Sequence, residues 1–158
     1  MVGFGKKEDG NTGVVNPNKP SPKAVPEKLI TDPIIEKAIR EELKKPSGEL
    51  TKADLEKVTK LFLYSDQLSN QPTDVSALAN LTQLKELKFY GNQLTEVPKG
   101  LEKLTQLTDL NLYGNQLTDV SALANLTQLK ELTLEGNQLT DVKGLENLTQ
   151  LEGLSLGE

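Results

Sequence analysis

Three carboxylates recur at equivalent places in this 158-residue chain and are its first candidates for chemistry. Glu86, Asp109 and Glu131 each precede a leucine, within "KELKF", "TDLNL" and "KELTL". Paired carboxylates can hydrolyse glycosidic bonds, and rows of Asp and Glu can bind Ca²⁺. The sequence has no Cys and no His, which excludes thiol nucleophiles, thiolate metal sites, disulfides and imidazole acid–base chemistry. Only a Ser–Lys or a two-carboxylate enzyme is compatible with this composition.

These carboxylates belong to a repeat that fills the second part of the chain. The pattern L-x-x-L-x-L-x-x-N-x-L occurs in four rows, the first of which starts at Val58, and a fifth row begins and stops. The next rows start at Leu84, Leu107, Leu129 and Leu151, at intervals of 23, 22 and 22 residues. A sustained period of this length with this pattern predicts leucine-rich repeats, each a short strand followed by a return segment. We therefore expect an α/β solenoid with a short curved parallel sheet and a convex side of 3₁₀ turns and irregular chain.

The spacing within each repeat predicts the direction of every side chain. In the strand x-L-x-L-x the leucines face the core and the x residues face solvent on the concave side, because side chains alternate along a strand. The Asn after the strand is placed to satisfy backbone groups of neighbouring turns, and the Gly before it permits the bend. In "YGNQLT" at 90–95 and 113–118, and in "EGNQLT" at 135–140, only the first residue is therefore free. The predicted structural ladder consists of Asp66, Asn92, Asn115 and Asn137.

The exposed strand positions form the candidate binding surface. All three tyrosines of the protein, Tyr64, Tyr90 and Tyr113, fall in one column on neighbouring strands. Tyr offers a large contact area at low entropy cost and is enriched in interface hot spots. We predict that this concave face binds a protein partner, with lysines at one end and carboxylates at the other. The predicted contact residues are Lys60, Phe62, Tyr64, Glu86, Lys88, Tyr90, Asp109, Asn111, Tyr113, Glu131, Thr133 and Glu135.

Duplication of the repeats offers an alternative explanation for the tyrosine column. "TDVSALANLTQLKEL" at 73–87 recurs letter for letter at 118–132, so copying alone can carry a tyrosine from one repeat to the next. Two observations favour use of the column. The first repeat, which is not a copy, also has a tyrosine, and position 135 changed to Glu while its surroundings stayed the same.

Other kinds of site are disfavoured. The carboxylate row lies on an open face without a pocket to shift a pKa, so we predict no catalytic residue and no enzyme. A Ca²⁺ cage needs six or more converging oxygens, and we predict no metal site and no cofactor. "NLT" at 80–82, 125–127 and 147–149 matches the glycosylation sequon, but its fixed phase in the repeat favours a structural role. The net charge of −5 and the absence of a basic cluster argue against nucleic acid, and no run of 18 apolar residues predicts a membrane span.

The chain before the repeats divides into two predicted segments. Residues 1–28 are rich in Gly and Pro, which favours a flexible tether. Residues 29–57 are expected to form a helical cap that begins with Asp32 as N-cap and Pro33 as first helical residue. Residues 58–158 hold four full repeats and an incomplete fifth. The uncovered edge of that fifth repeat predicts either self-association or a longer chain.

The repeat "NQLTDVSALANLTQLKELTLEGNQLTDVKGLENLTQLEGLSL" resembles the 22-residue repeats of bacterial internalins. The preceding "ITDPIIEKAIREELKKPSGELTKADLEKVTKLFL" is similar to the helical cap that introduces such repeats, so the resemblance covers about residues 29–156. It implies a right-handed leucine-rich-repeat solenoid that binds a protein through its concave face without catalysis, at the bacterial cell surface or secreted. The polar N-terminal segment is also similar to the stalk of bacterial lipoproteins, although their acylated Cys is missing. A cytoplasmic location, and a structural fragment without its own ligand, stay open as alternatives.

Overall fold

The computed structural model describes Gly5, residues 28–64 and residues 72–157. Most of the predicted tether and the predicted ladder residue Asp66 lie outside these ranges. Within residues 28–64, two helices precede the first strand, α1 (Pro33–Glu42) and α2 (Lys52–Leu55). None of the helices within the described ranges has the length and apolarity that a bilayer crossing needs.

In the described part of the chain, five strands follow one another in sequence order within a single parallel sheet. The register is regular, since Leu61, Leu87, Leu110, Leu132 and Leu154 are successive partners across the sheet. A 3₁₀ turn follows each of the first four strands. The solenoid that the repeats predict, preceded by a helix, is therefore confirmed. The strands are β1 (Lys60–Tyr64), β2 (Glu86–Tyr90), β3 (Asp109–Asn111), β4 (Glu131–Thr133) and β5 (Gly153–Ser155), and the turns are Ser76–Asn80, Leu101–Lys103, Ser121–Asn125 and Leu145–Asn147.

One narrow hydrophobic core runs between the sheet and the 3₁₀ turns. The inward residues Leu63, Phe89, Leu112 and Leu134 are all buried. In β1, exposed and buried residues alternate from Lys60 to Tyr64. This alternation is the one that a half-buried strand requires. The x positions of the strands are therefore left on the concave surface.

Carboxylates close the bends that lead into the 3₁₀ turns. The side chains of Asp74, Asp119 and Asp141 each accept a hydrogen bond from the backbone N–H two residues later, at 3.0, 2.6 and 2.9 Å. These are Asx turns, which bend the chain by a local side-chain bond. They stabilise the return segments and keep the strands in register.

The N-terminal helix covers the first strand. Ile35 and Ile39 on one side of α1 are fully buried in the same core as Leu61 and Leu63 of β1. Lys28 is the last residue of the predicted tether, and its Nζ lies 2.8 Å from Oε2 of Glu36 in α1. The helical segment and the repeats thus share one core.

The opposite end of the sheet has more exposed apolar surface. β5 pairs with β4, and its Leu154 is 46% exposed, whereas its register partner Leu132 is buried. Leu156 is 41% exposed, and Leu151 is only partly buried. The leucines of the fifth row therefore contribute less to the core than those of the earlier rows.

Candidate functional site

The parallel register places the predicted contact residues in rows across the sheet. All twelve of them lie within the described ranges. Ten lie on the strands, on the side that faces away from the core, and Tyr113 and Glu135 follow the ends of β3 and β4. Because the strands pair without offset, residues at the same strand position become direct neighbours, about 4.8 Å apart. The rows are Lys60–Glu86–Asp109–Glu131–Gly153, then Phe62–Lys88–Asn111–Thr133–Ser155, then Tyr64–Tyr90.

The tyrosine column divides into a pair and a single ring. Tyr64 and Tyr90 stack, with ring centroids 5.6 Å apart and planes 13° from parallel. Tyr113 continues the column in its backbone, since its carbonyl accepts the N–H of Gly91 at 2.9 Å. Its ring leans the other way, so that a Cβ on Gly136 would lie 3.7 Å from Cε2 of Tyr113. The three tyrosines are thus neighbours in the column without forming one continuous stack.

Asn111 helps to set the position of Tyr113. Its Oδ1 accepts the backbone N–H of Tyr113 at 2.9 Å, an Asx turn at the point where β3 ends. In β2 the same position is Lys88, and that strand continues to Tyr90. The predicted contact residue Asn111 therefore has a structural bond of its own on the concave face.

Charged and aromatic side chains contact one another on the concave surface of β1 and β2. Both carboxylate oxygens of Glu86 are used, each 3.1 Å from a lysine ammonium group, Lys60 on one side and Lys88 on the other. The ammonium group of Lys88 also lies 4.9 Å from the centre of the Phe62 ring, within cation–π range. The two lysines that the sequence places at one end of the face are therefore balanced in part by Glu86.

The electrostatics of Glu86 fit this arrangement. Burial by itself raises the pKa of Glu86, but hydrogen bonds and charge attraction from Lys60 and Lys88 outweigh burial and lower its pKa. A general acid of a glycoside hydrolase needs a raised pKa instead. Glu86 is consequently a charged structural partner of the lysines and a poor proton donor.

The surface of β3 and β4 is acidic and lacks such partners. Asp109 is half-buried and accepts the Thr108 hydroxyl at 2.6 Å, while Glu131 and Glu135 are exposed. The ion pairs formed by the described residues include none of these three carboxylates. A shallow cavity of about 190 Å³ is lined by Asp109 and Glu131 together with Asn111 and Thr133, and on its β2 side by Glu86 and Lys88.

Small residues on β5 and just after it leave room for Glu131 and Glu135. A Cβ on Gly153 would collide with the carboxylate of Glu131, and a Cβ on Gly157 would lie 3.1 Å from Cγ of Glu135. The Ser155 hydroxyl donates to Glu135 at 3.1 Å. The carboxylates thus lie over the last strand. In the described ranges, no three carboxylates are placed to hold a metal ion.

The ladder asparagines lie at the end of the strands and bind the backbone. Oδ1 of Asn115 accepts the N–H groups of Asn92 and Leu94 in the preceding repeat, at 3.1 and 3.0 Å. Its Nδ2 donates to the carbonyls of Phe89 and Leu112, both at 2.9 Å. One buried side chain therefore satisfies four backbone groups of two repeats.

The flanking members of the ladder repeat this arrangement. Asn92 donates to the carbonyls of Leu63 and Tyr90, at 3.0 and 2.8 Å. Asn137 donates to Leu112 and Leu134 at 2.9 and 2.7 Å, and it accepts the N–H of Leu117 at 3.0 Å. Asn92 and Asn115 are buried, whereas Asn137 is only partly so.

Asp32 has a second structural role that sequence reasoning missed. One oxygen caps α1 through the N–H groups of Ile34 and Ile35, at 2.9 and 3.1 Å. The other accepts the N–H groups of Thr73 and Asp74 at 2.7 and 3.3 Å, which joins the helix to the first return segment. Burial raises the pKa of Asp32, but the four N–H groups together outweigh it and the pKa is lowered. The only sequence signal was the N-cap pattern.

Comparison with known proteins agrees with this architecture. The family model described as leucine-rich repeats in two copies matches residues 82–125. The internalin inlF of Listeria monocytogenes superposes with a TM-score of 0.72 at 35% identity, over 82% of this chain and 37% of that one. Internalin C2 of the same species gives a TM-score of 0.62 at 31% identity, over 78% and 63% of the two chains.

A more distant structure shares the fold. A leucine-rich-repeat protein of Leptospira interrogans has a TM-score of 0.53 and 26% identity, over 68% of this chain and 33% of that one. A search of curated protein sequences gave no significant match. The chain spans only 37% and 63% of the lengths of the two solved internalins.

Proposed function

Because this chain is an internalin-like leucine-rich-repeat protein, we propose that it is a non-catalytic module that binds a protein partner through its concave face. Leucine-rich-repeat proteins generally bind other proteins, and solenoids present extended concave surfaces for this purpose. The observation that carries the proposal is the stacked Tyr64–Tyr90 pair beside exposed Phe62, on a sheet held by a buried ladder.

The physical case for binding rests on preorganisation. Tyr64 is 60% exposed although it stacks on Tyr90, so its ring offers contact area with little conformational freedom left to lose. Lys88 is likewise restrained, by Glu86 and by the Phe62 ring. A partner would meet a surface that is already ordered, which favours recognition over a purely solvating role.

For location, we propose the bacterial cell surface or the extracellular medium, on the basis of the likeness to internalins. The proposal is tested by fractionating cells that express the complete protein and detecting it with an antibody against residues 29–157. Recovery in the cytoplasmic fraction alone would contradict it.

A scaffold without its own ligand is the second candidate function. It is favoured by the letter-for-letter recurrence of residues 73–87 at 118–132, since copying needs no selection for binding. Binding and scaffold roles differ in what happens when the tyrosines are removed. Only a binder loses a partner while its stability stays nearly unchanged.

We also propose self-association through the fifth repeat. Leu154 and Leu156 are the exposed apolar residues at that end of the sheet, and an open strand edge is a template for pairing. Light scattering at increasing concentration tests this, with Leu154→Lys as the variant that should abolish the association. A concentration-independent monomer would contradict it.

The experiment for the binding proposal compares three proteins as bait in bacterial and host-cell lysates. The first is the wild type, and the second, the tyrosine triple variant, carries Tyr64→Ser, Tyr90→Ser and Tyr113→Ser. A matched control carries three exposed changes outside the concave face, Gln106→Ser, Gln128→Ser and Gln150→Ser. We expect proteins that are retained by the wild type and the control and lost by the tyrosine triple variant. Identical retention by all three would favour the scaffold.

A further inference from the structure

The two halves of the concave face differ in which charges are already balanced. On β1 and β2, Glu86 contacts both lysines. On β3, on β4 and just after β4, the carboxylates Asp109, Glu131 and Glu135 belong to none of the ion pairs that the described residues form. The N-terminal half therefore keeps one excess positive charge, whereas the C-terminal half carries three negative charges that form none of these ion pairs.

The larger aromatic contact area lies in the other half, although Tyr113, which follows β3, is also 48% exposed. Phe62 is 41% exposed and Tyr64 is 60% exposed, and both are held by contacts within the face, to Lys88 and to Tyr90. The concave side of β4 and β5 carries Thr133, Gly153 and Ser155 instead of rings. An aromatic or large aliphatic group of a partner would consequently bury most area against β1 and β2.

From these contacts we infer that the partner presents an extended segment of mixed chemistry. Its aromatic or large aliphatic residue packs on Phe62, Tyr64 and Tyr90, and its arginines or lysines face Asp109, Glu131 and Glu135. This inference deepens the proposed function and rests on it. Guanidinium groups suit the carboxylates best because they bind them with two parallel hydrogen bonds.

The spacing of the two patches limits the segment. The tyrosine pair and the Asp109–Glu131 pair are two strand spacings apart across the sheet and four residues apart along it. With about 4.8 Å between strands and about 3.3 Å per residue, the diagonal is about 16 Å, or about five residues of extended chain. The basic residue that faces Asp109 and Glu131 is therefore expected about four to six positions from the aromatic one.

Selection from a library tests the inference without a known partner. The probe is a phage library of random twelve-residue peptides, selected on the immobilised full chain. We expect enriched peptides to combine an aromatic or large aliphatic residue with arginine or lysine at the spacing given above. Enriched peptides that are neutral or acidic would overturn the inference.

Two charge-matched variants then locate the contact. The acidic triple variant carries Asp109→Asn, Glu131→Gln and Glu135→Gln. The control triple, Glu42→Gln, Glu56→Gln and Glu96→Gln, removes the same charge from exposed positions off the concave face. For the strongest synthetic peptide we expect the Kd to rise about tenfold in the acidic triple and less than about twofold in the control. Equal weakening by both would mean that only net charge matters, which overturns the inference.

The tyrosine triple variant distinguishes binding through the concave face from the mixed aromatic and basic chemistry of the partner. Binding that is lost in the tyrosine triple and kept in the acidic triple supports concave binding and contradicts the mixed chemistry. Peptides that bind both variants as well as the wild type, or no enrichment over an unrelated target, would contradict the proposed function as well.

Discussion

The two sides of each strand differ in what the repeats keep and what they change. Toward the core and the bend, Leu recurs in every repeat and Asn in the second, third and fourth. These residues are mostly buried, and Asn115 alone satisfies four backbone groups. On the concave side, one row changes from Lys60 to Glu86, Asp109, Glu131 and Gly153. The constant side supports the fold, and the variable side is where recognition can differ between such proteins. Substitutions on the two sides should therefore affect different measurements.

Removal of residues 1–57 should have the largest effect on the constant side. The deletion takes Ile35, Ile39 and Leu55 out of the core and exposes Leu61 and Leu63. Each lost side chain contributes about 1.5–3 kcal/mol of burial, so we expect the shortened chain to unfold or aggregate. The measurement is circular dichroism with thermal melting. Deletion of residues 1–27 is the control and should leave the melting temperature nearly unchanged.

Asp32→Ala should have the next largest effect. It removes the helix cap and leaves the N–H groups of Thr73 and Asp74 without this acceptor, at a cost of about 2–4 kcal/mol in urea unfolding. The pKa of Asp32 is lower in the folded state than in the unfolded state. Its contribution is therefore complete above the unfolded pKa, near 3.8, and is lost as pH falls through the folded pKa.

The variant Asp32→Asn sharpens this test. An amide can still accept from the helix, but its NH₂ group cannot accept from Thr73. Asp32→Asn should therefore be intermediate in stability and should lack the acid-dependent loss that Asp32 contributes. A wild-type stability for Asp32→Asn would show that the bond to the return segment contributes little.

Within the ladder, the effect should follow burial. Asn115→Ala leaves four backbone groups without their partner in a buried site and should cost about 2–4 kcal/mol. Asn137→Ala affects a partly exposed site where water can replace the amide, so we expect about 1–2 kcal/mol. Chemical unfolding of both variants checks the order. An equal loss of unfolding free energy in the two variants would mean that the stabilisation by the ladder asparagines does not depend on how deeply their hydrogen bonds are buried.

The smallest effect on stability should come from the concave side. The tyrosine triple variant removes one stacked pair and leaves the leucines in place, so the free energy of unfolding should fall by only about 1 kcal/mol. Melting curves measure this. A fall as large as that of Asn115→Ala would place the tyrosines among the residues that hold the fold.

The sequence predicted the fold well because its signals are periodic. The leucine rows, the Asn after each strand and the Asp32–Pro33 start of α1 all have fixed spacings. Details that depend on side-chain direction were not predictable in the same way. The ring of Tyr113 leans toward Gly136, which the repeat spacing does not indicate. Asp32 accepts a hydrogen bond from Thr73, 41 residues away, which the N-cap pattern does not indicate.

One missed contact could have been found. Once the register is assumed, Glu86 is the direct neighbour of Lys60 and stands two residues from Lys88 on the same side of its strand. That placement indicates that both lysines contact the Glu86 carboxylate. The lysines are therefore partly neutralised and do not form a separate basic patch on the concave face. The position of the Glu131 side chain could have been predicted in the same way. Its register partner is Gly153, and a glycine on the concave side of a strand leaves space for a neighbouring side chain.

The separation of fold and recognition is tested most directly by one binding titration. The strongest selected peptide is titrated, by calorimetry, into the wild type, the tyrosine triple variant and Asn115→Ala, at a temperature where all three are folded. We expect at least about a tenfold rise in Kd for the tyrosine triple variant and a change within about twofold for Asn115→Ala. A tyrosine triple variant that binds as tightly as the wild type, while Asn115→Ala loses binding, would show that fold and recognition are not separated in this way.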